Sequence, residues 1–359
     1  MESITLIDEA VGRLSLREKV GQLFIVRPES LEPQIHYASD AELPPYRLQA
    51  VSEGMRERAG QFPPGGVLLY GHNIAEPEQL RRFNTELRSL DGAPLLCIDE
   101  EGGRVSRLAG NPAFDVPRYE SAAALAAAGP EAVREAARAI GGYLARYGFD
   151  IDFAPVADVN TNPRNIIIGK RAFSDDPAVA ATMVCAFLQG LAEAGVAGCL
   201  KHFPGHGDTL SDTHLGYAFT RKDWPQIAGC EMLPFRAGIE AGAPLVMAAH
   251  IAAPVVTRSE LPATLSPVIL EEKLRGELGF RGVIITDALE MGAITQLWGS
   301  GEAAVRALEA GADCLLCPLD YCEAFEGVVA AVESGRLPEG RVEQSLRRLL
   351  ALRAKLKRI

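Results

Sequence analysis

The chain has 359 residues, 48% of them hydrophobic, which supplies a large core and excludes a disordered polymer. A formal net charge of −11 excludes the basic face that nucleic acid or an anionic membrane surface would need. The N-terminus lacks a basic start before an apolar run, no stretch is long and apolar enough to span a bilayer, and seven scattered cysteines suit a reducing compartment, so a cytoplasmic protein is expected.

Along the chain, short apolar runs stop repeatedly at polar residues. They predict strands at 21–26, 65–71, 94–99, 151–158, 196–202, 244–250, 282–287 and 312–317. Near-continuous apolar runs suit strands covered on both faces. The first of them, in SLREKVGQLFIV, reads equally well as the continuation of a helix. Residues 28–60, in a stretch with six prolines counted through Pro64, read as an inserted loop and helix. Helical periodicity appears at 120–147, 176–194 and 268–278, and a basic amphipathic helix closes the chain at about 340–357. Eight strands alternating with helices predict an α/β fold, a (β/α)8 TIM-type barrel forming a single domain over 1–359. Cys314 and Cys317 form a CxxC inside the last predicted strand. An odd spacing on a strand sends two side chains to opposite faces, so buried thiols are expected.

In such barrels the chemistry sits at the C-terminal ends of the strands. Here those ends carry Asp99-Glu100-Glu101, Asp158, Lys201-His202, His250 and Asp287, and His206 and His214 follow in the loop after the fifth strand. Packing alone would not finish strand after strand on an ionisable group. Three acids in a row cannot all face one apolar centre, so some must be paired or solvated; Asp99 is the one that directly ends its strand. Gly169-Lys170-Arg171-Ala172-Phe173 offers a guanidinium to a polar ligand, or a surface arginine. Lys201 to Thr209 reads KHFPGHGDT, a bent loop running on at least to His214. Asp212, two residues before His214, can fix the ring's tautomer and raise its basicity, as a proton carrier requires, although taken by itself the pair reads first as an incidental contact in a solvated loop. Asp287, after the β-forming run Val283-Ile284-Ile285-Thr286, is placed either as a nucleophile or as a helix N-cap.

The segments IDEEGGRV (98–105), GKRAFS (169–174), KHFPGHGDT (201–209), DTH (212–214), PATLS (262–266) and ELGFRGVIITDALEM (277–291) together resemble family 3 glycoside hydrolases, closest to the bacterial NagZ-type β-N-acetylglucosaminidases. The resemblance runs from about residue 12 to the end, with the motifs in order. It implies a β-hexosaminidase in which Asp287 is the nucleophile and His214, paired with Asp212, is the acid/base. Asp99, Arg107, Arg171, Lys201 and His202 would grip the sugar. Larger relatives take a glutamate acid from a second domain; this chain is expected to use the histidine instead. Thr213 stands where the family usually has serine, and Leu215 to Ala218 where Leu-Pro usually closes the loop.

The reaction implied is retaining, through a glycosyl-enzyme, on a carbohydrate: N-acetylglucosaminyl-anhydromuramic fragments of the cell wall. No metal or organic cofactor and no nucleic-acid or membrane partner are implied, and oligomeric state is left open. Three rivals stand beside this reading. A metal-dependent hydrolase could use His202, His206, Asp208 and His214 as ligands. The other two are a phosphorylase that replaces water by phosphate and a sugar-binding barrel without catalysis.

Overall fold

The computed structural model describes residues 2–35, 47–211 and 218–358. Its centre is a ring of eight parallel strands: β1 Phe24–Val26, β2 Gly66–Leu69, β3 Leu95–Ile98, β4 Ile151–Asp152, β5 Ala197–Phe203, β6 Leu245–Ala248, β7 Val283–Thr286 and β8 Leu315–Leu316. Neighbours in the sheet run β7-β6-β5-β4-β3-β2-β1-β8. A bridge between Ile285 and Cys314 brings β7 beside β8 and closes the ring. This is the expected (β/α)8 barrel. Parallel pairing throughout puts every C-terminal strand end on one face.

Three strand boundaries differ from the sequence reading, each for a local reason. At 21–26, Ser15 and Glu18 form a reciprocal capping box that starts a helix at Leu16–Gly21, and β1 begins at Phe24. At 151–158, Pro155 has no N–H to give the ladder, so regular pairing stops at Asp152. The chain beyond still follows β5 by separate contacts, Cys199 N to Ala154 O at 2.7 Å and Ala157 N to Lys201 O at 2.6 Å. At 312–317, the Asp313 side chain accepts the Ile284 N–H at 2.9 Å, and Cys317 turns left-handed at φ 42°, leaving β8 between them. Cys314 and Cys317 are both buried, and burial pushes both thiols well up. They are core groups.

Helices cover the outside of the ring. Pro177–Glu193 opens on Asp176, whose carboxylate accepts the Ala178 and Val179 N–H groups, a charge well placed against the helix dipole. It packs against Pro130–Tyr147 so closely that a Cβ on Gly190 would lie 2.3 Å from the Arg134 carbonyl oxygen. Glycine is required there by the approach of two backbones. Val268–Glu277, expected as an ordinary helix, is wound as a wider π-helix. Glu53–Gln61 is the helix crossing from β1 to β2. The last helix, Glu339–Lys355, reaches the far end of the barrel, where Arg353 donates to the Gly65 and Ala93 carbonyls at 2.7 and 2.8 Å. Beside it, Asp313 takes Arg275, Arg348 and the Ser345 hydroxyl on one fully buried carboxylate. The end remote from the strand C-termini is therefore locked by charge-assisted hydrogen bonds.

Candidate active site

The C-terminal ends of β2, β3, β5 and β7 meet over a cavity of about 190 Å³, whose walls include Tyr70, Asp99, Glu101, Arg107, Arg171, Lys201, His202, Met247 and Asp287. That volume lies below the roughly 300–1,000 Å³ of drug-sized pockets and suits one sugar ring. All five residues expected to bind sugar line it, together with the expected nucleophile. Asp212 and His214 lie outside the described residues.

The three acids after β3 separate by the two-residue period of extended backbone. Asp99 and Glu101 face the cavity. Glu100 faces the opposite way and is fully buried. Its carboxylate accepts the N–H groups of Arg107, Leu108 and Ala109 at 2.6, 2.9 and 2.9 Å and the Tyr143 hydroxyl at 2.9 Å. Glu100 thus fixes the loop that presents Arg107.

Cations bind the two inward acids together. Lys201 Nζ, its side chain 3% exposed, sits 2.8 Å from Asp99 and 2.7 Å from Glu101. Arg171 grips Glu101 with both arms of its fork, at 2.8 and 2.7 Å, and Arg107 lies 3.3 Å from Asp99. Burial would raise the Asp99 carboxyl, but Lys201 and Arg107 outweigh it and hold it down to about 2. Glu101 is lowered against the same burial by Lys201 and Arg171. Burial would also lower the Lys201 ammonium, yet the two carboxylates drive it above its ordinary value. All these groups are charged at neutral pH, and each presents fixed donors or acceptors to a ring of hydroxyls.

Consecutive residues of a regular strand face opposite sides, yet Lys201 and His202 both reach this cavity. The pairing of β5 with β6 slips in register between Leu200 and Phe203, and such an irregularity re-aims side chains. His202 Nδ1 lies 2.7 Å from Asp158, whose side chain is fully buried, and its Nε2 lies 3.5 Å from an Arg171 nitrogen. Arginine can only donate, so the partners assign the proton to Nδ1 and leave Nε2 as acceptor. Asp158 also accepts the His202 and His206 backbone N–H groups, at 3.2 and 2.6 Å. His206 itself is tied into the loop through Thr209 and the Asn165 amide, and burial lowers its pKa. The loop closes on the segment after β4 so tightly that a Cβ on Gly207 would fall 1.8 Å from the Val159 carbonyl oxygen.

Asp287 follows β7 directly. Its N–H donates to the Ala248 carbonyl at 2.8 Å, and its Oδ1 accepts the Ala288 N–H at 2.8 Å. The N-cap alternative is not what the structure shows, because the next helix begins at Gly292 with Met291 at its N-cap. Among the described residues Asp287 enters no ion pair, unlike Asp99 and Glu101 beside it. His250, at the end of β6, supports it from behind. Its Nε2 lies 2.9 Å from the Ala288 carbonyl and Nδ1 lies 2.8 Å from the Thr264 hydroxyl, which gives the PATLS segment a role in holding this corner. Burial lowers the His250 pKa, consistent with Nε2–H donating to the carbonyl and Nδ1 accepting from threonine.

Glu101 and Asp158 belong to this arrangement, although neither was singled out as a binding residue from sequence. The signal for Glu101 was its position two residues beyond Asp99 on an extended segment. For Asp158 it was the place at the end of an apolar run.

Residues 15–352 match the model of the glycosyl hydrolase family 3 N-terminal domain. The chain belongs to glycosyl hydrolase family 3. It is 40% identical over 256 residues to a β-hexosaminidase of Xanthomonas oryzae pv. oryzae, an alignment covering 70% of this chain and 75% of that one. The solved structure of a family 3 β-N-acetylglucosaminidase from a Paenibacillus species superposes with a TM-score of 0.85 at 38% identity, over 96% of this chain and 63% of that one. A family 3 member from Mycobacterium smegmatis superposes with a TM-score of 0.76 at 31% identity, over 95% and 98% of the two chains. The charged cavity at the barrel mouth is thus the candidate active site of a glycoside hydrolase.

Proposed function

We propose that this family 3 enzyme is a retaining exo-β-N-acetylglucosaminidase, with Asp287 as nucleophile and His214, oriented by Asp212, as acid/base. The observation that carries the reading is the contrast within one cavity. Asp99 and Glu101 are neutralised by Lys201, Arg107 and Arg171, whereas Asp287 faces the same space with, among the described residues, one backbone hydrogen bond on Oδ1 and no ion pair. Paired acids bind hydroxyls; an acid left without a cation can form a bond to carbon.

In the first step the Asp287 carboxylate attacks the anomeric carbon and the glycosidic C–O bond breaks. The protonated His214 imidazole gives its proton to the departing oxygen. In the second step neutral His214 takes a proton from water, whose oxygen displaces Asp287 and restores the first anomeric configuration. Asp99, Glu101, Arg171, Lys201 and His202 hold the ring hydroxyls, and hydrogen bonds that tighten as charge develops at the anomeric carbon lower the barrier. The substrate we infer is N-acetylglucosamine linked to anhydromuramic acid, a cell-wall fragment, handled in the cytoplasm with this barrel as the catalytic domain.

The test is an aryl β-N-acetylglucosaminide assayed with and without phosphate, combined with trapping by a 5-fluoro N-acetylglucosaminyl fluoride. Release of β-configured N-acetylglucosamine and a covalent label mapped to Asp287 are expected. A sugar phosphate product, an inverted anomer, or a label on another residue would overturn the reading.

A further inference from the structure

The end of the barrel opposite the sugar cavity carries a groove that the glycosidase chemistry does not use. It is bounded by the turns that feed β6 and β7, Gly242 to Pro244 and Gly279 to Gly282, and by the last helix, Glu339–Lys355. Two hollows of about 510 and 540 Å³ make it up, and they run together over Gly242, Ala243, Pro244, Leu352 and Lys355, which line both. Each hollow lies within the roughly 300–1,000 Å³ of ligand pockets. Their characters differ. The first has apolar walls at Ile7, Ile239, Phe280 and Leu352, and four cations line it, Arg281, Arg347, Arg348 and Lys355, against one acid, Asp8. The second is walled by Leu188, Val196, Leu352 and Leu356, and among the described residues Lys355 is its one charged lining group. The groove is therefore charged at one end and apolar at the other.

The positive charge at the first end is what remains after the fold's own pairing. Arg347 lies 2.7 Å from Asp8 and 3.5 Å from Glu343. Arg348 gives Nη1 to the buried Asp313 at 2.7 Å, but Asp313 also serves Arg275 and, at 3.6 Å, Arg341. Three guanidiniums thus share one carboxylate. Burial pulls Arg275 down to about 10, and repulsion by Arg348 adds to it against the attraction of Asp313 and Glu271. Arg341 is lowered in the same way. Arg281 and Lys355 are exposed and pair with no acid among the described residues. On a chain of net charge −11, a concave surface with this local excess of cations concentrates an anion from solution and holds it by charge-assisted hydrogen bonds.

We propose that this groove is a binding site for a single-chain amphiphile with a carboxylate head, a free fatty acid. The head lies on Arg281, Lys355 and the Arg348 nitrogens that Asp313 does not engage. The chain runs past Leu352 into the second hollow, where burying its methylenes supplies most of the affinity. A compact anion would leave the second hollow empty, and an uncharged chain would leave the cations of the first without a partner. Charge at one end and apolar walls at the other together select a ligand built the same way.

Calorimetric titration of the whole chain with decanoate, below its micelle concentration, tests this against hexanoate and 1-decanol. Decanoate should saturate one site per chain. Hexanoate should bind far more weakly, by about fourfold for each methylene lost, because a buried methylene is worth about 0.8 kcal/mol. Decanol should bind about 10-fold more weakly than decanoate, the scale of one charge-assisted hydrogen bond. Arg281→Gln and Lys355→Gln should each narrow the gap between acid and alcohol while leaving decanol binding as it is. Ala192→Trp, exposed in the last turn of Pro177–Glu193 and lining the second hollow, should weaken both ligands. If that variant fails to fold, the comparison of chain lengths in the parent still decides whether the second hollow holds the chain. No saturable binding of decanoate, equal affinity for decanoate and decanol, equal affinity for decanoate and hexanoate, or charge variants that bind as the parent does would each overturn the proposal. So would sedimentation with phosphatidylglycerol vesicles without binding of monomeric decanoate, which would assign the face to a membrane surface. A dimer that Ala192→Trp dissociates and decanoate does not would assign the groove to a second copy of the chain, and would equally overturn it.

Discussion

Glu101 offers the most direct test of how the sugar-binding side of the cavity is held together. Glu101→Gln keeps the shape and removes the charge that bridges Lys201, at 2.7 Å, and the Arg171 fork, at 2.7 and 2.8 Å. Removing one partner from a buried ion pair costs about 3–5 kcal/mol, because the charge left behind is desolvated and uncompensated. Asp99 still pairs with Lys201 at 2.8 Å, so the low end, about 3 kcal/mol, is expected. At about 2 °C per kcal/mol for a chain of this length, the melting point should fall by about 6 °C. Lys201→Met should be costly for the mirror-image reason, since it leaves Asp99 and Glu101 facing each other with one cation fewer. Combining the two removes a charge of each sign. The double variant should therefore cost about 2 kcal/mol less than the sum of the singles, a coupling typical of residues in one network. Denaturant midpoints and calorimetric melting measure all three. A Glu101→Gln midpoint equal to the parent's, or strict additivity, would show that these contacts do not hold charge against charge and would refute the reasoning.

Three further outcomes are expected. His214→Ala should still glycosylate Asp287 with an aryl leaving group that needs no proton, then stall, giving a burst and a slow steady state that azide accelerates as a β-glycosyl azide; the same behaviour from His206→Ala instead would move the acid/base role to that residue. Arg171→Ala should lower kcat/KM by about 10²-fold through lost binding while the covalent step survives on activated substrates, and an unchanged kcat/KM would make the residue structural. Asp99 is held down from 3.8 to about 2, and at about 1.4 kcal/mol per unit this contributes about 2 kcal/mol. A lowered carboxylate stabilises the fold above its unfolded pKa and loses that contribution as pH falls through the folded one. Asp99→Asn should therefore flatten the loss of stability between about pH 4 and pH 2, and an identical pH slope in the two proteins would contradict the assignment.

The parallel ring was legible because its strands are covered on both faces, and burial writes itself into sequence as apolar runs such as Val283-Ile284-Ile285. Where a strand's limit depends on hydrogen bonds instead of burial, the sequence misled. Val156 is as apolar as its neighbours, and nothing in its hydrophobicity reports that Pro155 has already withdrawn a donor from the ladder. Gly21 and Gln22 look like the start of a strand because the capping box at Ser15 acts six residues earlier. The candidate site divides the same way. Asp99, Lys201, His202 and Asp287 were visible as ionisable groups ending apolar runs. Glu101 was hidden among three adjacent acids until the backbone's two-residue period was applied to them. Asp158 was hidden because its work is done through His202 Nδ1 and two backbone N–H groups, contacts made across 44 and 48 residues of chain.

That division has a physical origin that bears on how the two halves of the site would respond to change. On the β3 to β5 side the inward acids Asp99 and Glu101 are paired with Lys201, Arg107 and Arg171, and the positions are over-determined: Lys201 touches two carboxylates, Glu101 two cations, and Asp158 a ring and two backbone N–H groups. A single substitution there leaves a buried charge without its partner, so the effect is felt first in stability and then in binding. On the β7 side Asp287 is positioned by its own backbone, through Ala248 and Ala288, and by His250 and Thr264 behind it, with no charge partner among the described residues. Among the described residues Asp287 has no ion pair to lose, so Asp287→Asn should remain folded at close to the parent's melting point while losing the bond-forming carboxylate. Stability and chemistry thus fall on different residues of one cavity. A large drop in melting point for Asp287→Asn, comparable with that of Glu101→Gln, would show that they do not.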